Sequence, residues 1–293
     1  MGRNAQAARS GPAHPENRMC RLSLRTVVLQ SYRTHDVPPW MAECMGSVRA
    51  WAQGQGWDYE FMDDRFFDLA PGWVKARCGN NLYAVTDLCR LLWLRDRLRE
   101  GVERVVWADA DLLVFAPEKL GLATGSGYGF AFELLLEPKP DGSMGTRGGA
   151  NNALMVFERD QPVLDFYLFA CEERLKHYGD GQVPRTALGP DLLVALSRVL
   201  PLSILHGVGL FDPLMMKEIR DGHGPRTSLF MAHSPRPLGA ANLCHFARNA
   251  QEPGFRPLFD RVYGEAVDAL LNSRGRVLDA FVAASSTLAG GPS

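Results

Sequence analysis

The chain has 293 residues, with 32 Lys+Arg against 33 Asp+Glu, a formal net charge of −1, 46% hydrophobic residues and 22% charged residues. A chain of this length buries roughly three quarters of the surface it exposes when unfolded, so it needs no covalent staple and suits one large α/β domain or two small ones. The charge balance excludes a protein whose main partner is a nucleic-acid backbone, while leaving room for one local anion site. The basic residues are 27 Arg and 5 Lys, spread along the whole chain, which reads as coding bias rather than as one binding surface.

In chain order, residues 1–20 are polar with scattered Arg and Pro; they are expected to be a disordered lead-in and lack the apolar core of a signal peptide. Arg25 to Gln30 reads as a short buried strand. Pro38 and Pro39 open a helix in which Trp40, Met41, Cys44, Val48 and Trp51 recur at three- and four-residue steps, and Gly54 and Gly56 end it. Asp58 to Met62 alternates as a second strand. Asn81 to Arg99 is a helix with Leu82, Val85, Leu88, Leu91 and Leu92 on its apolar positions. Arg104 to Phe115 reads as one buried strand interrupted by two carboxylates. Gly121 to Ala150 is Gly- and Pro-rich and predicts a mobile loop, followed by a strand at Asn152 to Phe157 and a helix at Gln161 to Tyr178. Gly189-Pro190-Asp191 opens another helix, 219–240 reads as a second loop-rich stretch, and Arg256 to Leu271 and Arg276 to Ala284 read as helices before a loose tail. The six cysteines (20, 44, 78, 89, 171, 244) form no Cys-x-x-Cys pair and fit reduced, buried thiols of a cytoplasmic protein. No stretch approaches the ~20 apolar residues that span a bilayer, so any membrane contact is expected to be peripheral.

The sequence asks most about Asp109 and Asp111, in VVWADADLLVF. One Asp-x-Asp is expected by chance in a chain of this composition, so the context carries the information. Two unpaired carboxylates among apolar strand residues would cost several kcal/mol. Asp residues two apart on a strand share a face and can meet one hard cation. Competing readings are a turn or helix cap, and a phosphohydrolase of the haloacid-dehalogenase type, in which such a pair lies near the domain start. Asp87 and Arg90 are three apart on the predicted helix and share a face. They suit either an ordinary ion pair on a solvated face or a carboxylate and a guanidinium that hold sugar hydroxyls or an acidic group.

With these residues in place, the chain from Thr26 to His245 resembles DXD-containing glycosyltransferases of the GT-A type. Family 32 and capsular-polysaccharide-type sugar transferases are the nearest likeness. Gln30-Ser31-Tyr32 after the first strand resembles the turn that faces the nucleotide base. Pro39-Trp40, Ser47-Val48 and Trp51-Ala52 resemble the first helix, and Tyr59 with Asp63-Asp64 resembles the second strand and its end. Ala84 to Arg90 is similar to the family's Ser-Asp-x-x-Arg helix, and Gly189-Pro190-Asp191 to the Gly-Pro step before a late helix. The Gly-Gly-x-Tyr that precedes the aspartates in family 32 is absent; Glu103 to Trp107 looks more like the lead-in of family 8.

The resemblance implies a single GT-A-like α/β domain over 21–284, with a mixed, mostly parallel central sheet flanked by helices and a Rossmann-like nucleotide-binding half, and a flexible tail over 285–293. It implies Mn²⁺ or Mg²⁺ on Asp109 and Asp111, with His245 as third ligand and His233 as its rival. It implies a nucleoside diphosphate sugar, UDP by default, bordered by Gln30, Ser31, Tyr32, Asp109, Asp111 and Asn152. Asp87, Arg90 and Asp191 would act on the sugars, and Arg147, Asn151 and Glu133 would shape the pocket, Glu133 as a candidate acid–base group. The acceptor would be a hydroxyl of a glycan, lipid-linked or protein partner, and the transfer would retain configuration. The loops at 136–150 and 219–240 would close over the donor. Two other classes compete: a nucleotidyltransferase of similar sheet, disfavoured because Gln-Ser-Tyr-Arg replaces a Gly-rich phosphate loop, and a non-catalytic nucleotide-sugar-binding protein.

Overall fold

The computed structural model describes residues 24–122, 124–235, 237–244 and 256–283, with side chains from 259 onward in the last segment. The lead-in over 1–20, Cys20, His245 and the tail over 285–293 lie outside the described residues, as do both expected domain boundaries.

The first half alternates strand and helix. Strand β1 (Thr26–Ser31) leads to helix α1 (Pro39–Gly54), whose Pro39 occupies the first helical turn, and then to strand β2 (Asp58–Met62). A 3-10 turn (Asp64–Leu69) and helix α2 (Gly72–Cys78) precede helix α3 (Leu82–Arg99), at whose start the Asn81 side chain accepts from the Ala84 N–H at 3.5 Å. Strand β3 (Arg104–Ala108) returns to the sheet, and strand β4 (Leu112–Val114) leaves it. Strands β5 (Tyr128–Pro138) and β6 (Met144–Glu158) form a long hairpin before helices α4 (Pro162–Lys176) and α5 (Pro190–Ser197). The rest comprises strands β7 (Ile204–Leu205) and β8 (Val208–Leu210), helices α6 (Pro213–Asp221) and α7 (Pro225–His233), strand β9 (Ala240–Asn242) and helix α8 (Arg256–Ser273). A 3-10 turn at Arg276–Leu278 then runs into a short helical segment over 279–283.

The main sheet has the order β2-β1-β3-β6-β5-β7, and a smaller one has the order β4-β9-β8. In the main sheet the pairs β1·β2, β1·β3 and β5·β7 are parallel, while β3·β6 and β5·β6 are antiparallel. This is a mixed, mostly parallel sheet flanked by helices. Both faces of its centre are covered, so its strands read as continuous apolar runs. Val27, Leu29, Val105 and Trp107 point to the core beneath α2, α3 and α4, and Val28, Val106 and Ala108 to the core beneath α1. A third cluster joins α1 to α6, α7 and α8 around Trp40, Phe259 and Tyr263. The chain leaves β1 towards β2 on one side and comes back to β3 on the other. In an open α/β sheet such a switch of direction opens a crevice beyond the carboxyl ends of the two strands.

Three expectations are corrected. Arg104 to Phe115 is two strands, because the chain turns at the aspartates: the Leu112 N–H donates to the Asp109 carbonyl at 3.0 Å, and β4 pairs with β9 in the other sheet. The turn lets both carboxylates leave the apolar ladder. The segment expected as a mobile loop over 121–150 is, from Tyr128 on, the β5–β6 hairpin, with Gly145, Gly148 and Gly149 paired in β6 and Lys139 to Ser143 turning; the Lys139 N–H donates to the Ser143 carbonyl at 2.7 Å. Helix α7, and the end of α6, occupy much of the stretch expected as loop over 219–240, because Glu218 accepts from the Arg226 and Thr227 amides and caps α7.

Gly239 extends the small sheet, just before β9. Its carbonyl accepts from the Phe115 and Ala116 amides, and a Cβ there would come within 2.7 Å of the Ala116 carbonyl and 2.8 Å of the Leu120 nitrogen. Backbone cannot swing aside as a side chain can. Gly239→Ala is therefore expected to cost about 1–3 kcal/mol, read as a lower urea midpoint without a change in slope.

Candidate functional site

A cleft of about 540 Å³ lies at the carboxyl ends of β1 and β3, where the topology opens a crevice. Its floor is built around Arg90. Helix α3 carries Asp87 and Arg90 on one face, and both are only 6% exposed. One guanidinium nitrogen of Arg90 (Nη2) meets Asp87 Oδ1 at 3.1 Å; the other (Nη1) meets Asp109 Oδ1 at 3.0 Å and donates to the Asn152 carbonyl at 2.9 Å. The guanidinium also lies over the Trp107 ring, 5.1 Å from its centroid. The pair is thus not an exposed i,i+3 ion pair but a buried bridge between helix and sheet.

The strand ends supply the remainder. Trp107 and Asp109 share a face of β3 and its extension, so the Trp107 indole N–H donates to Asp109 Oδ1 at 2.7 Å. The Asp109 amide donates to the Ala153 carbonyl at 2.8 Å. There β6 bulges: Phe130 pairs with Met155 but Ala131 with Asn151. The bulge turns Asn151 and Asn152 towards the cleft. Asn152 Nδ2 donates to Asp87 Oδ1 at 2.8 Å, and Asn151 Nδ2 to Glu133 Oε2 at 2.8 Å. A Cβ on Gly189 would lie 2.8 Å from the Asn152 amide and 3.1 Å from Asp87 Oδ2, so glycine leaves room for that pair.

Burial and charge set the protonation of this group. Burial pushes Asp87 up to about 6, against the pull of Arg90 and the Asn152 hydrogen bond. Burial likewise pushes Asp109 up to about 6, Arg90 pulls it back, and the neighbouring Asp111 carboxylate adds to the rise. Burial also raises Glu133, with Asn151 and Arg147 opposing.

Of the residues singled out by sequence, Asp87, Arg90, Asp109, Asp111 and Asn152 line the cleft together. Ser31 and Tyr32 line it at the end of β1, and Glu133, Arg147 and Asn151 from the hairpin. Asp191, in the first turn of α5, also lines it and accepts from the Thr186 hydroxyl at 2.7 Å. Gln30 is placed differently. It is fully buried beneath the cleft, donates to the Asp109 carbonyl at 2.9 Å and accepts from the Tyr59 hydroxyl at 2.9 Å, so it supports the aspartate turn from below. His233 ends α7, with Nδ1 against the Leu229 carbonyl at 3.0 Å, and is not part of the cleft lining. His245 lies outside the described residues. Among the described residues no three His, Cys, Asp or Glu side chains gather as a metal cluster. Among the described residues, Cys44, Cys78, Cys89, Cys171 and Cys244 are free and buried.

Sequence reasoning missed Trp107, Tyr83, Arg185 and the space at Gly189. Trp107 had a signal, its position two residues before Asp109 on a strand. The others come together from distant segments and had none.

The chain resembles solved structures only distantly. A scan against protein-family models finds no match, and a search of curated proteins finds none. Among solved structures it is similar to a glycosyltransferase involved in the glycosylation of the major capsid of PBCV-1, at 11% identity and a TM-score of 0.43, covering 82% of this chain and 98% of that one. It is also similar to galactosyltransferase LgtC in complex with donor and acceptor sugar analogues, at 12% identity and a TM-score of 0.38, covering 82% and 95%.

Removing Arg90 leaves two buried carboxylates uncompensated, so Arg90→Ala is expected to cost about 3–5 kcal/mol in chemical denaturation. Asp87 and Asp109 bind their protons more tightly folded than unfolded. Their contribution to stability is therefore full below about pH 4 and is lost as the pH rises through about 6. Asp87→Asn is expected to flatten this decline; urea midpoints between those pH values measure it.

Proposed function

We propose that the chain is a metal-dependent glycosyltransferase of the GT-A type. In this reading it moves a sugar from a nucleoside diphosphate sugar, UDP by default, to an acceptor hydroxyl with retention of configuration. The observation that carries the reading is the Asp109–Asp111 turn, which presents two carboxylates in a large cleft at the switch point of a nucleotide-binding type of sheet.

The donor set fits a hard divalent cation. Arg90 and the Trp107 N–H both engage Asp109 through Oδ1, and the Asp111 carboxylate lies on the same turn. Mg²⁺ and its like are commonly held by one or two carboxylates with substrate phosphates and water completing the shell. Bound there, the cation supplies Lewis-acid stabilisation of the charge that develops on the departing diphosphate.

The chain's own residues do the rest. Ser31 and Tyr32, at the end of β1, border the base, and Arg33 lies over the Tyr32 ring at 5.6 Å. Arg90 holds Asp109 in one orientation and balances its charge before any ligand arrives. Asn152 and Asp87 fix each other on the floor where the sugar would lie. Asn151 and Glu133 form the facing wall with Arg147, and Asp191 closes the side at α5. The acceptor would be a glycan, a lipid-linked sugar or a protein, and the protein would work in the cytoplasm. No described helix is long and apolar enough to cross a membrane.

Asp109→Asn and Asp111→Asn are expected to cut Mn²⁺-dependent donor turnover by about a hundredfold or more, the loss of several kcal/mol of charge stabilisation. Both should keep the wild-type circular dichroism. The release of nucleoside diphosphate from a nucleotide sugar checks this. Undiminished turnover in both variants, or release of pyrophosphate from a nucleoside triphosphate instead, overturns the reading.

A further inference from the structure

Four arginines line the cleft: Arg33, Arg90, Arg147 and Arg185. Three of them spend N–H donors on protein oxygens. Arg33 donates to the Asp36 carbonyl at 2.8 Å, Arg90 to Asp87, Asp109 and Asn152, and Arg147 to Glu137 through two nitrogens at 2.9 and 2.7 Å. Arg185 is the exception. Its guanidinium lies 4.6 Å from the centroid of the Tyr83 ring, and no carboxylate or carbonyl engages it among the described residues.

This stack is a built feature of the rim. Arg185 belongs to the segment between α4 and α5, and Tyr83 to the first turn of α3. The two segments are tied together: Asn81 Nδ2 donates to the Val183 carbonyl at 2.8 Å, the Gly181 amide to the Arg77 carbonyl at 2.8 Å, and Arg77 pairs with Asp180 at 3.1 Å. Beside Arg185 the Thr186 hydroxyl is already committed to Asp191. An aromatic face holds a guanidinium by cation–π attraction and restricts its fork, and a restricted fork binds a planar oxyanion bidentately with less loss of freedom. Tyr83 stays 40% exposed and its neighbour Leu82 56%, so the stack is open to a ligand.

The helix gives the stack its place. Tyr83, Asp87 and Arg90 are spaced i, i+4, i+7 and run along one face of α3 from rim to floor. Seven residues rise roughly 10 Å, so the stack lies about that far along the helix from the level at which Arg90 meets Asp109. A diphosphate held through Asp109 and Asp111 lies at the floor. The exposed rim leaves room for the remote part of a second substrate.

We propose that Arg185 and Tyr83 form an acceptor subsite that selects acceptors carrying an anionic group, a carboxylate or phosphate, on the sugar that reaches the rim. The proposal rests on the transferase reading for the word acceptor, and its test separates the two. The full chain is titrated calorimetrically with methyl β-D-glucuronide, with glucose 6-phosphate and with neutral methyl β-D-glucoside, and separately with UDP and Mn²⁺. At least one anionic probe should bind about tenfold tighter than the neutral one, and which of them does tells carboxylate from phosphate. Arg185→Gln should remove that preference, Tyr83→Ala should weaken it, and Tyr83→Phe should keep it. All three variants should bind UDP with Mn²⁺ as the wild type does. A wild type without an anion preference, including one that binds none of the three sugars, overturns the subsite, as does a preference that survives Arg185→Gln. A loss of UDP affinity equal to the loss of anion affinity in Arg185→Gln overturns it too, because the arginine then serves the donor. A wild type that binds an anionic sugar but not UDP with Mn²⁺ defeats the transferase reading and leaves the anion subsite standing.

Discussion

The site depends on one buried cation. Arg90 is 6% exposed, and a guanidinium that far from water is tolerable only when carboxylates and carbonyls surround it. Here it meets Asp87 from its own helix, Asp109 from the end of β3, the Asn152 carbonyl from the bulge of β6 and the face of Trp107. These partners come from three elements, so satisfying the cation fixes α3, β3 and β6 relative to one another. Geometry at the cleft floor and stability of the core are therefore the same problem. Burial holds the Asp109 carboxyl high, and the same contacts that orient it, from Arg90 and the Trp107 N–H, pull it only part of the way back.

A second constraint follows from the topology. The sheet reverses its direction of growth between β1 and β3, and the helices that connect these strands diverge there. Residues that follow those strands emerge into the resulting crevice: Ser31 and Tyr32 from one, Asp109 and Asp111 from the other. Beneath them Gln30 spans to the Asp109 carbonyl and is held in turn by Tyr59. A buried amide has donors and acceptors to satisfy, and here that need locks the turn from below. The aspartates thus stand on a base fixed by buried hydrogen bonds.

The cleft is also economical with its positive charge. Its floor and hairpin arginines are engaged by protein oxygens, and the rim holds Arg185 against an aromatic ring instead. A near-neutral chain can therefore present an ordered interior, with a guanidinium paired to carboxylates at the floor and a second guanidinium at the mouth. The total of −1 conceals that arrangement, since the net charge of a chain reports solubility and bulk partners and not the order of charges along one wall.

Much of this was legible from the chain alone. Apolar runs with period two and 3.6 located β1, α1, β2, α3 and α4, because those elements bury regular faces. The misfit of Asp109 and Asp111 among apolar neighbours marked them, because burying charge is costly wherever it occurs. The spacing of Asp87 and Arg90 placed them on one helical face, because helical geometry is local. The turn at the aspartates, the hairpin of 128–158, the bulge at Asn151 and Asn152, the empty space at Gly189 and the meeting of Tyr83 with Arg185 were decided only in three dimensions. Glycines that suggest a loop by composition become strand once a partner supplies their hydrogen bonds, and side chains 65 or 102 residues apart acquire a relation only when the sheet and its helices have packed. The sequence by itself determined which residues have to escape the core. The tertiary structure decided which of them meet, because pairing depends on distances between elements that no local pattern encodes.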